Sequence, residues 1–227
     1  MSTLTFRRNP LRNVAGAAPW TATVYLLSYL PVGLLLFCGV LTVVLICGAL
    51  NITWLGVPLL VGAAAVVRGA AELERRRAAL IGAPIEPAAA PTAVSGVFAR
   101  VRTAWRDMTT WRACAYLLLL FPLLFLLDAL ALGVWLTTLA GVTLPLWFWS
   151  VPTGRAGHGA RFGFLVDNVG TALLAAVGFA VLAVGAAYVL VGAATLHATV
   201  ARILLGPRID PLAEARRVLA EPGPLAV

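Results

Sequence analysis

From Asn13 to Val67 the chain carries no charged side chain, and it carries none again from Asn168 to Ala201. Such runs leave few folds open. A helix needs roughly 20 apolar residues to cross a hydrocarbon core, and lipid admits only structures that satisfy their own backbone hydrogen bonds. The first run has room for two spans, with Asn51 to Pro58 as the turn between them. The second holds one, from about Thr171 to Leu196, and a further span follows Arg112. The reading is an all-α polytopic membrane protein with four transmembrane helices. At 61% hydrophobic and 11% charged residues, the composition lies far outside that of a soluble domain. The first apolar run continues past Leu50, well beyond the roughly 7–15 residues of a cleavable signal core, so the first span is expected to be retained.

An internal repeat divides the chain. WTATVYLLSYLP, Trp20 to Pro31, is echoed by WRACAYLLLLFP, Trp111 to Pro122, with Trp, Tyr, two Leu and Pro at one offset. It predicts two tandem helical hairpins related as a parallel pseudo-repeat, both starting on the same side of the membrane. Residues 1–96 form the first hairpin, with a basic arm and a Pro/Ala linker at 82–96. Residues 97–209 form the second, with an external loop at 150–170, and residues 210–227 form a cytoplasmic tail.

Charge gives sidedness. All 17 basic residues are Arg. Arg7, Arg8 and Arg12 precede span one, and Arg68, Arg75, Arg76 and Arg77 follow span two. Arg100, Arg102, Arg106 and Arg112 precede span three; Arg202, Arg208, Arg216 and Arg217 follow span four. Only Arg155 and Arg161 fall on the other side. The positive-inside rule then places both termini in the cytoplasm, in a multi-pass protein of the cell (inner) membrane. The net charge of +8 faces the anionic inner leaflet. Its scatter over helix ends excludes a nucleic-acid surface. Trp20, Trp105 and Trp111 are expected at the inner interface, and Trp54, Trp135, Trp147 and Trp149 at the outer one.

Local patterns add detail. Glu72 is spaced to pair with Arg75 or Arg76, and Glu74 with Arg77, on a helix continuing beyond the membrane. Gly82 and Pro84 end that helix. Phe98, Val101, Trp105 and Met108 share one face of a predicted in-plane helix. Segments 48–58 and 136–149 are apolar but interrupted, and 136–149 is a candidate for re-entry. Gly178, Gly185 and Gly192 recur every seven residues in the last span, with Ala186 and Ala193 beside them. They predict a small-residue seam where helix backbones approach closely.

The raw material for chemistry is thin. Asp128 is the one acid inside a span, and an intramembrane carboxylate marks a candidate functional site. Arg155 or Arg161, folding back from the external loop, are its expected partners. His158 lies in the same loop with no Cys or acid at ligand spacing, so no metal is expected. His197 reads as a capping or snorkelling residue at the inner end of span four. Cys38, Cys47 and Cys114 have no ligand spacing and read as packing residues. There is no HExxH, GxSxG or phosphate-cradling GxxxxGK[ST] motif, so no enzyme activity and no cofactor are expected.

Four blocks together carry a resemblance: AELERRRAALIGAPI at 71–85, WRACAYLLLLFP after Arg102 and Asp107, TLPLWFW at 143–149 and TLHATVARILLGP at 195–207. In order and spacing the chain resembles the sensor domain of bacterial (high-GC) sensor histidine kinases over about residues 20–209. The resemblance implies a four-span input module placed ahead of a kinase region or standing alone. Only Arg208 to Val227 follow the LLGP block, with no histidine and no room for a kinase region. The expectation is a signal-input module of two-component type that senses an envelope or lipid cue. It would act through a histidine kinase or other signalling protein in trans, or as a homo-oligomer. A small transporter or channel using Asp128 is the alternative.

Overall fold

The computed structural model describes residues 16–50, 56–86, 96–150, 160–161, 165–166 and 168–207. Among these residues the protein is all-α apart from one two-residue strand pairing. Helix α1 spans Ala17–Leu50 and α2 spans Gly56–Ala79. A short α3, Val97–Arg106, leads into α4, Met108–Cys114. A π-helical segment, Ala115–Leu120, joins α4 to α5, Phe121–Val142. One turn, α6 (Leu144–Trp147), precedes the strands β1 (Ala160–Arg161) and β2 (Leu165–Val166), and α7 runs over Val169–Leu205.

The element ends follow from local chemistry. Asp107 separates α3 from α4, its carboxylate accepting from the Thr109 amide at 3.0 Å as an N-cap. Asn168 and Thr171 form a reciprocal capping box at the start of α7. At the end of α2, Gly82 takes φ +69°, and its amide bonds the Ala79 carbonyl while the Ala83 amide bonds that of Ala78. That is the Schellman ending the glycine predicts. The π segment lies just before Pro122, which has no amide for the Leu118 carbonyl and crowds it. Widening the preceding turns absorbs that missing bond. Pro31, in the matching place of the repeat, is held within an unbroken α1.

Among the described residues, three helical stretches are long and apolar enough to cross a membrane: Ala17–Leu50, Met108–Val142 and Val169–Leu205. Helix α2, expected as a fourth, is not among them. It carries Arg68, Glu72, Glu74, Arg75, Arg76 and Arg77 within its second half. The outward faces of the long helices are apolar, with Leu35 73%, Leu119 77% and Leu174 76% exposed.

Helix directions correct the expected parallel repeat. Trp20 meets Trp135 at 6.0 Å while Phe37 stacks on Phe121 at 4.6 Å, so α1 and α5 run antiparallel. Arg77 reaches the Tyr25 carbonyl, and Cys47 the Leu59 carbonyl, so α1 and α2 are also antiparallel. Trp105 bonds the Leu60 carbonyl, Arg68 bonds Thr110 and Tyr116 bonds Glu74, which makes α2 parallel to α4. Asp128 meets His197 and Arg112 meets the Ile203 carbonyl, turning α7 back along α5. Thus α1 and α7 point one way, and α2 and α4–α5 the other. The second hairpin is inverted relative to the first, and Trp20 lies level with Trp135 instead of Trp111. Lipid gives apolar helices no hydrophobic preference for direction; the side chains that need polar partners supply one.

Other expectations resolve locally. Helix α5 continues through Gly141 to Val142, so 136–142 is not a break; Leu144 and Phe148 then pack against Val166, Ala172 and Ala175. Met108 starts α4 and does not share the α3 face, and Phe98 on that face is exposed. Segment 51–55 lies outside the described residues.

Candidate functional site

Two apolar clusters fill the bundle. One holds Tyr25, Leu26, Trp135, Leu190 and Ala194; the other holds Tyr29, Tyr116, Phe121, Leu124 and Ala201. Between them, where α7 passes from Ala194 to Ala201, sits His197, fully buried. An unpaired buried polar group costs several kcal/mol, roughly 2–7 by reference state. The polar atoms here are accordingly gathered into one network.

His197 Nδ1 lies 2.6 Å from Asp128 Oδ2, and its Nε2 lies 2.8 Å from the Tyr116 hydroxyl. Tyr116 is also 3.4 Å from Glu74 Oε2. Glu74 receives two contacts from Arg77 Nη1, at 2.7 and 2.8 Å. Arg77 Nη2 donates onward to the Tyr25 carbonyl at 2.9 Å and the Ser28 hydroxyl at 3.0 Å. Its guanidinium lies 5.2 and 5.1 Å from the ring centroids of Tyr25 and Tyr29. The network therefore joins α7, α5, the π segment, α2 and α1.

Local sequence explains several placements. Gly33 leaves room for the Tyr29 ring, which a Cβ there would approach to 2.8 Å; that ring packs edge-on to His197 at 4.3 Å. The repeated tyrosines converge: Tyr25 lies 5.4 Å from the His197 ring, and Tyr116 hydrogen-bonds it. Tyr116 projects from the π segment, where the irregular register sets its direction. Three buried polar atoms in and beside this region have no protein partner: Asp128 Oδ1, the Tyr25 hydroxyl and Trp135 Nε1.

Asp128 is buried as its isolation in an apolar run implies, and among the described residues its hydrogen-bond partner is His197. Arg155 and His158 lie outside the described residues. Arg161 belongs to β1 by its backbone, and its side chain is likewise outside them. His197, read as terminal, is the centre of the network. The Glu74–Arg77 pair forms at its expected spacing, yet inside the bundle. Gly178, Gly185 and Gly192 do not form the seam: all three are exposed, and a Cβ on any of them would meet nothing within 4 Å. The buried small residues are Ala186 and Ala193, one position on. Close approach occurs instead at Gly141, where a Cβ would collide with the Phe179 ring.

Outside the three long apolar helices, the Arg76 and Arg75 guanidiniums contact Glu72 at 3.1 and 3.0 Å and hold its carboxyl below the usual carboxylate range. Arg75 also donates to the Leu205 carbonyl at 3.3 Å, fastening α2 to the end of α7. Among the described residues, no three His, Cys, Asp or Glu side chains gather as a metal ion would require.

The model of the family described as "Putative sensor" matches residues 25–205. The chain belongs to that family. The match runs from Tyr25, the first network residue of the repeat, to Leu205, the last residue of α7, and so takes in every member of the buried network. No curated protein and no solved structure matches the chain.

Proposed function

We propose that this sensor-family chain is a membrane-embedded signal-input module without enzymatic activity. Its state is set at the buried Asp128–His197 contact and passed to a separate protein, a histidine kinase or another two-component partner. The observation that carries this reading is a 2.6 Å ionisable contact sealed inside an apolar bundle. Buried ionisable groups in lipid are costly and mark functional positions. The cue is one of the envelope or its lipid. A route outward exists: α2 and α4 each hold the last turn of α7, through Arg75 on Leu205 and Arg112 on Ile203.

The same reading sets the topology. Three spans, α1, α4–α5 and α7, cross the cell membrane, while α2 packs against them from one side. An odd number of spans agrees with α1 and α7 pointing the same way, and it replaces the expectation of two cytoplasmic termini. Arg112 and Arg202 lie together where α7 finishes, lining one cavity with Ile203, and Arg100, Arg102 and Arg106 precede them on α3. By the positive-inside rule that end faces the cytoplasm and its anionic leaflet.

The test is co-reconstitution of the full chain with the histidine kinases of its host. One kinase should change its autophosphorylation when the chain is added, and Asp128→Asn should remove the change. A transporter is the second reading, favoured by the unpartnered Asp128 Oδ1. Ion or solute flux into liposomes that Asp128→Asn abolishes, without any effect on a kinase, would decide for it.

A further inference from the structure

We propose that the proton is the ligand of this site: His197 takes up one proton at Nε2, and the Tyr116 hydroxyl relays it from Glu74. The proposal rests on the sensor reading of the same network and names its stimulus.

Charge and hydrogen-bond directions carry the argument. The groups facing His197 are Asp128 on α5, Tyr116 on the π segment, Tyr25 and Tyr29 on α1, and Glu74 and Arg77 on α2 behind Tyr116. On α7 itself only threonines flank it, and their hydroxyls bond their own helix. Arg77 balances Glu74, so the cluster carries one net negative charge with a neutral imidazole and none with an imidazolium. A low-dielectric interior favours the balanced form, whereas removing a charge from water opposes it. The two opposing effects leave a site that one proton can tip.

Both states fit the observed atoms. With neutral His197, Nδ1–H donates to Asp128 and Tyr116 donates to Nε2. Tyr116 has one hydrogen, so Glu74 then receives none from it, in keeping with the long 3.4 Å contact. With the imidazolium, Nε2–H donates to the Tyr116 oxygen and the Tyr116 hydrogen turns to Glu74. The transfer balances. A hydronium ion first gives one proton to Glu74, leaving water and a neutral carboxylic acid. Its O–H bond then breaks toward the Tyr116 oxygen while the Tyr116 proton forms the new N–H bond at Nε2. Glu74 returns to carboxylate, and the charge appears on His197.

The relay has a mechanical consequence. A hydroxyl donating to a carboxylate closes to about 2.5–2.7 Å, which draws Tyr116 toward α2. Tyr116 sits in the π segment, whose widened turns resist such a shift less than a regular helix. Helix α2 in turn holds Leu205, so protonation is felt where α7 ends.

The chain has two histidines, so His158→Gln leaves His197 as the sole imidazole. Nitrogen-15 histidine NMR of that protein in lipid nanodiscs reads each ring nitrogen directly. Lowering the pH from about 9 to about 5, the range histidine serves, should convert Nε2 from acceptor to N–H. Tyr116→Phe, which keeps the ring and its packing, should move the midpoint by roughly tenfold in proton concentration, the difference between a hydrogen bond to a charged group and one to a neutral group. An imidazole locked in one state over this range would overturn the proposal, as would a midpoint unmoved by Tyr116→Phe. The measurement needs no partner. A normal titration with no effect on any kinase would sink the sensor reading and leave the proton site standing.

Discussion

Asp128 and His197 stand 69 residues apart in the chain and meet at 2.6 Å with both side chains fully buried. The contact fixes how α5 lies on α7, because among the described residues Asp128 has no hydrogen-bond partner other than His197. Trp135 on one side and Phe121 on the other face α1 across the same seam. One polar contact thus selects the direction and the register of helices that apolar packing alone would leave free to slide.

That coupling is measurable. His197→Phe leaves Asp128 without its partner and should cost about 3–5 kcal/mol, the usual range for breaking a buried pair. Asp128→Leu alone should also destabilise, by stranding the imidazole. The double variant should cost less than the His197 variant, since an apolar pair needs no partner. Reversible unfolding in mixed micelles gives all three values, and additive costs would show that the two groups act independently.

The Glu74–Arg77 pair offers a second comparison within one helix. Glu74→Gln strands a guanidinium that is only 7% exposed, and about 3 kcal/mol should be lost. Arg76, at 76% exposure, also contacts a glutamate, yet Arg76→Ala should cost no more than about 0.5 kcal/mol. Arg77→Lys should behave like a loss, because one ammonium cannot hold Glu74, Ser28 and the Tyr25 carbonyl as the planar fork does. Equal effects at Arg76 and Arg77 would contradict the buried placement.

Much of this was legible in the sequence, and the rest was hidden for physical reasons. Charge-free runs announce α1 and α7, the apolar stretch after Arg112 announces α5, and Gly82 announces the end of α2. The spacing of Glu74 and Arg77 announces their pair. Asp128 is conspicuous because a carboxylate in an apolar run must find a partner, but spacing says nothing of a partner 69 residues away. His197 looks terminal because Arg202 follows within two turns; the packing of α1, the π segment and α5 around it buries it. Hydropathy carries no direction, so a repeated motif suggests parallel halves even where the helices run in opposition. The one hint was the repeated Tyr25 and Tyr116, two hydroxyl-bearing rings in apolar runs with too few polar groups to satisfy them separately.

Glycine substitutions test which helix face is packed. Gly141→Ala should destabilise by about 1–3 kcal/mol, as overpacking does, because the Phe179 ring occupies the space of the new Cβ. Gly185→Ala and Gly192→Ala should be neutral, or stabilising by up to about 1 kcal/mol, since both face outward and only helix propensity changes. Thermal stability in detergent separates the two sets. A loss at Gly185 with none at Gly141 would restore the glycine stripe as the packing seam.

The helix directions make the most discriminating prediction. In a parallel repeat, the start of α1 and the end of α7 share one side of the membrane. In the inverted arrangement they lie on opposite sides, and the start of α1 shares its side with the connection between α5 and α7. Replacing Cys38, Cys47 and Cys114 by Ala gives a background free of native thiols. Single reporter cysteines at Ser2, Gly157 and Ala220 then read the two ends. An impermeant maleimide applied to intact cells should label Ser2 and Gly157 together and spare Ala220 until the membrane is opened. Labelling of Gly157 alone would return both termini to the cytoplasm and break the Trp20–Trp135 contact on which the inverted arrangement rests. A cross-link between cysteines placed at those two tryptophans provides the independent check, because only antiparallel α1 and α5 bring them within reach.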